Sequence, residues 1–213
     1  MNRNVVLYID EEQSALDAYG TVLKRQLPAD LDIVCEKPIR TLPQMLKHLT
    51  GMRDRLTSII LDEHLEVAGT ADYIGSDLAN AYRQIDNKIP IYILSNHPEE
   101  IDPNLQSVEY VLSKDDFADN GAALESATKR ITRHINAYGE IVSAREQRFI
   151  ELLRKYVSSE ITPEESVEFN ELKLWREAPT AIEESQSTIE LRRALDKQEQ
   201  SILEIEELLK RKG

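Results

Sequence analysis

The chain lacks the features of secreted and membrane proteins. It has 213 residues and one cysteine, Cys35, so it cannot form an internal disulfide, and this fits a reducing compartment. No apolar run approaches the roughly 18 residues of a membrane span. The N-terminus leads straight into a predicted strand, without the apolar core of a signal peptide. We therefore expect a cytoplasmic protein with no membrane segment.

Basic residues are also few. The sequence has 26 Lys and Arg residues against 39 Asp and Glu residues, for a net charge of -13. Residues 1–138 carry 14 basic against 22 acidic side chains, and residues 139–213 carry 12 against 17. Phosphate backbones are bound mainly by Lys and Arg. We therefore do not expect a nucleic acid to be a partner of either region.

The first 138 residues alternate between two hydrophobic patterns. Short apolar stretches typical of strands are separated by segments with helical spacing, except for a weak segment around Pro98 and Pro103. The predicted strands are residues 4–9, 31–35, 59–61, 89–94 and 108–112. Such alternation predicts an α/β fold with a doubly wound parallel sheet of five strands.

Polar residues follow four of these strands directly. Asp10 and Glu11 end the first strand, Asp62 the third, Ser95 the fourth and Lys114 the fifth. A single aspartate at a strand end is usually only a loop cap, but the carboxyl ends of parallel strands meet at one edge of a sheet. Three clustered carboxylates require a cation, and oxygen ligands suit Mg²⁺. With an ammonium and a hydroxyl, they are the parts needed for phosphoryl transfer onto an aspartate.

The sequence around these residues resembles a known family. DEE at 10–12, LDEH at 61–64, LSNH at 94–97 and LSKD at 112–115 are similar to motifs of the receiver domain of two-component response regulators. The resemblance covers residues 4 to about 138. It implies a flavodoxin-like sheet of strand order 2-1-3-4-5.

The same resemblance implies a role for each site residue. Asp62 would be the phosphoacceptor, and its donor a histidine kinase or a phosphotransfer protein. The protein would then be a signalling protein and no enzyme beyond phosphorylation and dephosphorylation of its own Asp62. The remaining roles are Mg²⁺ binding by Asp10, Glu11, Asp62 and the backbone carbonyl of His64, a switch hydroxyl on Ser95, and phosphoryl binding by Lys114.

Two other functions remain open. The receiver fold could serve as an unphosphorylated adaptor that scaffolds a larger complex, as in pseudoreceivers. The same acids could also serve a magnesium-dependent hydrolase, although no second general acid is evident.

The chain departs from the family pattern in the loop after Asp62, where Gly75 comes about five residues later than the usual glycine, and in Asn96 and Asp115.

Residues 139–213 predict a helical extension. Its helices are expected at about 141–157, 163–177 and 182–210, and Thr162 with Glu165 forms the pattern of a capping box before the second. The third carries apolar residues at coiled-coil spacing, interrupted by Gln198. We expect this third helix to form a homodimer; the alternative is packing back on helix 141–157. The extension as a whole is expected to transmit the signal through contacts with a downstream protein.

Overall fold

The computed structural model describes residues 4–102, 105–118 and 121–177. Within these residues, the strands are β1 (Val5–Ile9), β2 (Asp32–Glu36), β3 (Leu56–Asp62), β4 (Ile91–Ser95) and β5 (Tyr110–Ser113). The helices are α1 (Gln13–Gln26), α2 (Leu42–Met52), α3 (Gly75–Arg83), α4 (Lys114–Ala118) and α5 (Ala122–Val157). Residues 163–177 form a further helix, α6. Short 3₁₀ turns lie at Val67–Gly69 and Pro98–Glu100.

The five strands form one parallel sheet in the order β2-β1-β3-β4-β5. This confirms the predicted flavodoxin-like topology. The register aligns the ends of neighbouring strands, because Asp62 pairs with Leu94 and Ser95 pairs with Ser113. The polar residues that follow the strands are thereby brought to one edge of the sheet.

Burial explains why the strands read as continuous apolar runs. Every residue of β1, β3 and β4 is buried, as expected for parallel strands with helices on both faces. On one face, side chains of β1, β3 and β4 form a core with α1 and α5. The edge strand β5 is more exposed, and Tyr110 at its start is about half exposed.

Helix α5 differs from the prediction. The extension was expected to begin at residue 139 with a separate helix at about 141–157, but α5 runs without a break from Ala122 to Val157. A glycine inside a helix costs only about 1 kcal/mol relative to alanine. Packing on both sides of Gly139 outweighs this cost, since Val142 is buried and the buried Tyr138 hydroxyl donates to Asp86 Oδ2 over 2.8 Å. The predicted end at residue 157 is confirmed.

Helices α5 and α6 pack as an antiparallel pair. Phe169 stacks against Phe149 and Tyr156 with ring centroids 5.3 Å apart in both cases. The predicted capping box is confirmed: the Glu165 N–H donates to Thr162 Oγ1, and the Thr162 N–H donates to Glu165 Oε2, both over 3.2 Å. We call residues 141–173 of this pair the helical hairpin.

Two local predictions need correction. Thr41, which the sequence predicts as the N-cap of the second helix, occupies that position of α2 without a capping side-chain bond; instead, the Leu42 N–H donates to Asp72 Oδ1 over 3.3 Å. Helix α4 was not predicted because its five residues are too few for a periodic pattern. Between Ser95 and β5, the described residues contain only the 3₁₀ turn at 98–100, which agrees with the weak pattern there.

The remaining predictions about the extension stay open. The contacts group the chain into the units Met1–Lys173 and Leu174–Gly213. The predicted helix 182–210, its coiled coil and its homodimer lie outside the described residues. The division into a receiver domain at 1–138 and an extension at 139–213 stays a prediction. Among the described helices, none is long and apolar enough to cross a membrane.

Candidate functional site

Three of the predicted site residues form a buried ion-pair cluster at the carboxyl edge of the sheet. Lys114 Nζ lies 2.6 Å from Asp62 Oδ1 and 3.0 Å from Asp10 Oδ2. All three side chains are buried. Asp10 follows β1, Asp62 ends β3 and Lys114 opens α4 directly after β5, so the sheet topology brings together residues up to 104 positions apart.

Backbone donors fix both aspartates. The Glu12 N–H donates to Asp10 Oδ1 over 2.9 Å, and the His64 N–H donates to Asp62 Oδ2 over 2.7 Å. Each bond joins an aspartate to the residue two positions later, as in an Asx turn. One oxygen of each carboxylate is therefore held by the loop that leaves β1 or β3.

Glu11 completes a group of three acids. Asp10, Glu11 and Asp62 each place one carboxylate oxygen within 4.8 Å of the others. Burial, with the neighbouring charges of Asp62 and Asp10, raises the pKa of Glu11 to about 7. Its Oε2 atom is buried and has no hydrogen-bond partner in the structure. An orphaned oxygen beside two carboxylates fits the donor set of a hard divalent cation such as Mg²⁺.

Lys114 supplies the positive charge within this group. Burial alone would lower its pKa, but the hydrogen bonds and charges of Asp62 and Asp10 outweigh that effect and raise the pKa. The ammonium also lies 5.7 Å from the centre of the Tyr19 ring on α1. Lys114 is thus a charged lysine held in a fixed place beside the predicted acceptor.

Ser95 and His64 occupy the rim of the site. Ser95 is buried at the end of β4, one residue beyond the register partner of Asp62, and its Oγ accepts a hydrogen bond from the His97 N–H over 3.0 Å. The His64 side chain is exposed, while its carbonyl accepts a bond from the Val67 N–H over 3.4 Å. The predicted roles of these two residues, a switch hydroxyl and a metal-binding carbonyl, stay predictions.

The sequence did not reveal Tyr8. Its buried hydroxyl donates to Asp10 Oδ2 over 2.6 Å. The available signal was its position: residues i and i+2 of a strand face the same side, so Tyr8 and Asp10 share a face of β1. It was missed because an aromatic residue in a buried strand is ordinarily only core.

Glu63 and Gly75 were also not predicted as parts of the site's support. Glu63 is buried beside Asp62 and accepts hydrogen bonds from the N–H and the hydroxyl of Ser76, over 3.0 and 2.6 Å. Burial raises the pKa of Glu63, although the bonds from Ser76 act against this. A Cβ atom on Gly75 would lie 2.2 Å from the Asp62 carbonyl oxygen, so only glycine allows α3 to start this close to β3.

The long loop after Asp62 is fastened at its far end. The Tyr73 hydroxyl donates to the Ile39 carbonyl over 2.8 Å, and the Asp72 N–H donates to the Arg40 carbonyl over 2.9 Å. Both partners lie between β2 and α2. These two bonds hold the end of the loop that precedes Gly75 against the segment between β2 and α2.

Comparison with known proteins gives the following picture. No protein-family model matches the sequence, and no curated protein matches it. Solved structures that resemble it include a response regulator receiver domain protein from Clostridium thermocellum, at 16% identity and a TM-score of 0.47, covering 65% of this chain and 98% of that one. Response regulator TrrA from Thermotoga maritima, solved in complex with Mg²⁺-BeF, is 13% identical at a TM-score of 0.44, covering 60% and 98%.

A third similar structure is longer. NtrX from Brucella abortus is 15% identical at a TM-score of 0.47, covering 66% of this chain and 29% of that one. The chain thus spans less than a third of NtrX. The structural resemblance is to receiver domains. The fold assignment itself rests on the strand order described above.

Proposed function

We propose that this chain is a response regulator-like signalling protein that accepts a phosphoryl group on Asp62. The donor would be a phosphohistidine on a histidine kinase or phosphotransfer protein. One observation carries the proposal: Asp62 lies beside Lys114 and within the group of three acids, so an acceptor, an ammonium and candidate metal ligands share one buried edge.

The chemistry is a transfer between two nucleophiles. An Asp62 carboxylate oxygen bonds to phosphorus while the bond from phosphorus to the imidazole nitrogen breaks, and its electron pair stays on that nitrogen. Lys114 contacts Asp62 Oδ1, so its ammonium would stabilise the charge on the oxygens of a phosphoryl group transferred to Asp62.

The three acids would hold Mg²⁺ with the His64 carbonyl. The ion, when bound, supplies positive charge to the phosphoryl oxygens. Glu11 contributes the oxygen that has no other partner, and Asp10 stays paired with Lys114 and Tyr8. Repulsion among the carboxylates is thereby reduced, which favours Asp62 as a nucleophile.

The signal would leave the site through Ser95 and the helices. The Ser95 hydroxyl donates to the new phosphoryl group, and the loop after β4, held to Ser95 through the His97 N–H, moves with it. Output would then pass to a downstream protein through the helical extension. A homodimer through residues 182–210 belongs to the same proposal.

One observation favours a second candidate, the unphosphorylated adaptor. Both Asp62 oxygens already have partners, Lys114 on one and the His64 N–H on the other. A site that is satisfied in this way could be kept for structural reasons alone. The two candidates differ in whether Asp62 reacts.

The deciding experiment treats the full chain with acetyl phosphate and Mg²⁺ and measures its intact mass. We expect a gain of one phosphoryl group, which is lost in Asp62→Asn and when the metal is chelated. Asp72→Asn is the matched control, because this exposed aspartate lies on the same loop. Sizing of the labelled chain reports any change in assembly.

A wild-type chain that gains no mass at millimolar Mg²⁺ would favour the adaptor. Labelling that survives in Asp62→Asn would place the acceptor elsewhere.

A further inference from the structure

Tyr8 is the one tyrosine in the described residues whose hydroxyl donates to a carboxylate of the candidate metal site. The ring lies in the interior strand β1, fully buried in the core formed with α1 and α5. Its hydroxyl reaches Asp10 Oδ2 over 2.6 Å, the same oxygen that Lys114 contacts. The phenol O–H is the donor in this bond, and the carboxylate oxygen accepts.

Packing alone does not require this hydroxyl. A phenylalanine would fill the same part of the core, and a buried hydroxyl is costly unless it is hydrogen-bonded. The bond to Asp10 removes that cost. It also joins a neutral donor to a charged acceptor, which makes it stronger than a bond between neutral groups.

The bond matters for Asp10 because the rotamer does not fix the plane of its carboxylate. The terminal torsion of aspartate is broad, so neighbouring donors must set this plane. Glu12 N–H fixes Oδ1, while Tyr8 and Lys114 together fix Oδ2. Without Tyr8, Oδ2 would keep one partner, Lys114, whose ammonium is shared with Asp62, so one of the three donors that set the plane of the carboxylate would be lost.

We propose that Tyr8 is a positioning residue that orients Asp10 for divalent-cation binding. This inference rests on the metal site of the proposed function. The phenol touches no reacting atom and acts only through Asp10. Charge compensation of Asp10 survives its loss, because Lys114 remains, whereas orientation does not.

The test is Tyr8→Phe in the full chain, with the Mg²⁺ dissociation constant measured by calorimetric titration. Loss of a group that orients a metal ligand typically weakens binding by about 10- to 100-fold, and we expect a loss of at least about tenfold here. Tyr92→Phe is the matched control: Tyr92 is also fully buried in the sheet, and its hydroxyl bonds to His134 Nδ1 over 2.7 Å, in contact with none of the three acids.

The outcomes separate cleanly. Weaker Mg²⁺ binding in Tyr8→Phe, with Tyr92→Phe within about twofold of wild type and both variants folded by circular dichroism, supports the positioning role. Equal or tighter binding in Tyr8→Phe, or an equal loss in both variants, overturns it. A wild-type chain that binds no Mg²⁺ overturns the metal site itself, and with it the role of Tyr8.

Discussion

Two regions of this protein use ion pairs in opposite ways. At the carboxyl edge of the sheet, Lys114 pairs with Asp10 and Asp62, and these side chains are only 8%, 0% and 7% exposed. In the helical hairpin, Arg148 pairs with Glu168 while the two side chains stay 33% and 43% exposed. Buried charges lose their hydration and depend on their partners, whereas exposed charges exchange one polar environment for another. The candidate site and the surface contact therefore differ in how strongly each charged side chain depends on its ion-pair partner.

The largest expected effect is that of Lys114→Met. Removing the ammonium leaves Asp10 and Asp62 buried without compensation, so we expect the free energy of unfolding to fall by about 3–5 kcal/mol. Urea denaturation without metal measures this, and added Mg²⁺ should recover part of the loss. Lys129→Met is the control, since Lys129 forms an exposed pair with Glu125 on α5. Equal losses in both variants would contradict the contrast.

The second effect concerns the support of Asp62. In Gly75→Ala, the new methyl group meets the backbone of Asp62 and Glu63, so α3 must shift; we expect a loss of about 1–3 kcal/mol by denaturation. Because α3 starts against Asp62, the proposed acceptor, the rate of labelling by acetyl phosphate should fall as well. Unchanged stability and labelling would show that the contact is easily relieved.

Gly139→Ala should raise the free energy of unfolding, whereas the two variants above lower it. A Cβ atom on Gly139 would meet nothing within 4 Å, and the residue lies inside the continuous helix α5. Alanine there should raise the free energy of unfolding by about 1 kcal/mol, measured by the same denaturation series. A loss of stability would contradict a continuous helix at this position.

The smallest effect is expected from Arg148→Ala in the helical hairpin. The aromatic stack of Phe149, Tyr156 and Phe169 should keep the two helices together without this side chain. Thermal unfolding should shift less than in Gly75→Ala, and the shift should shrink further at high salt because exposed pairs are screened. A salt-independent thermal shift as large as that measured for Lys114→Met in the same thermal assay would contradict the distinction between the two regions.

The fold was predictable because its signals are strong and local. Buried strands such as β3 appear in the sequence as apolar runs. The parallel topology then places the polar residues that follow these strands at one edge of the sheet. Asp10, Glu11, Asp62, Ser95 and Lys114 could thus be selected before the structure was known. The capping box of Thr162 and Glu165 was readable because it needs only residues three positions apart.

What escaped prediction depends on packing between distant segments. The break expected at Gly139 was wrong because burial of Val142 and the bond from Tyr138 to Asp86 outweigh a weak local preference. Tyr8 was not predicted because the role of its hydroxyl depends on the orientation of the Asp10 carboxylate. Gly75 carries meaning only once α3 is seen against Asp62, a contact that no spacing in the sequence encodes.

The unbroken course of α5 has a mechanical consequence. At about 1.5 Å per residue, its 36 residues make a rod roughly 54 Å long. It begins four residues after the end of α4, the helix that starts at Lys114. Its last turns form the first helix of the helical hairpin. A rod pivoting by about 5° at one end moves its other end by roughly 5 Å. A small rearrangement beside Lys114 that tilts α5 would therefore be amplified into a larger displacement at the C-terminal end of α5, the longest helix among the described residues.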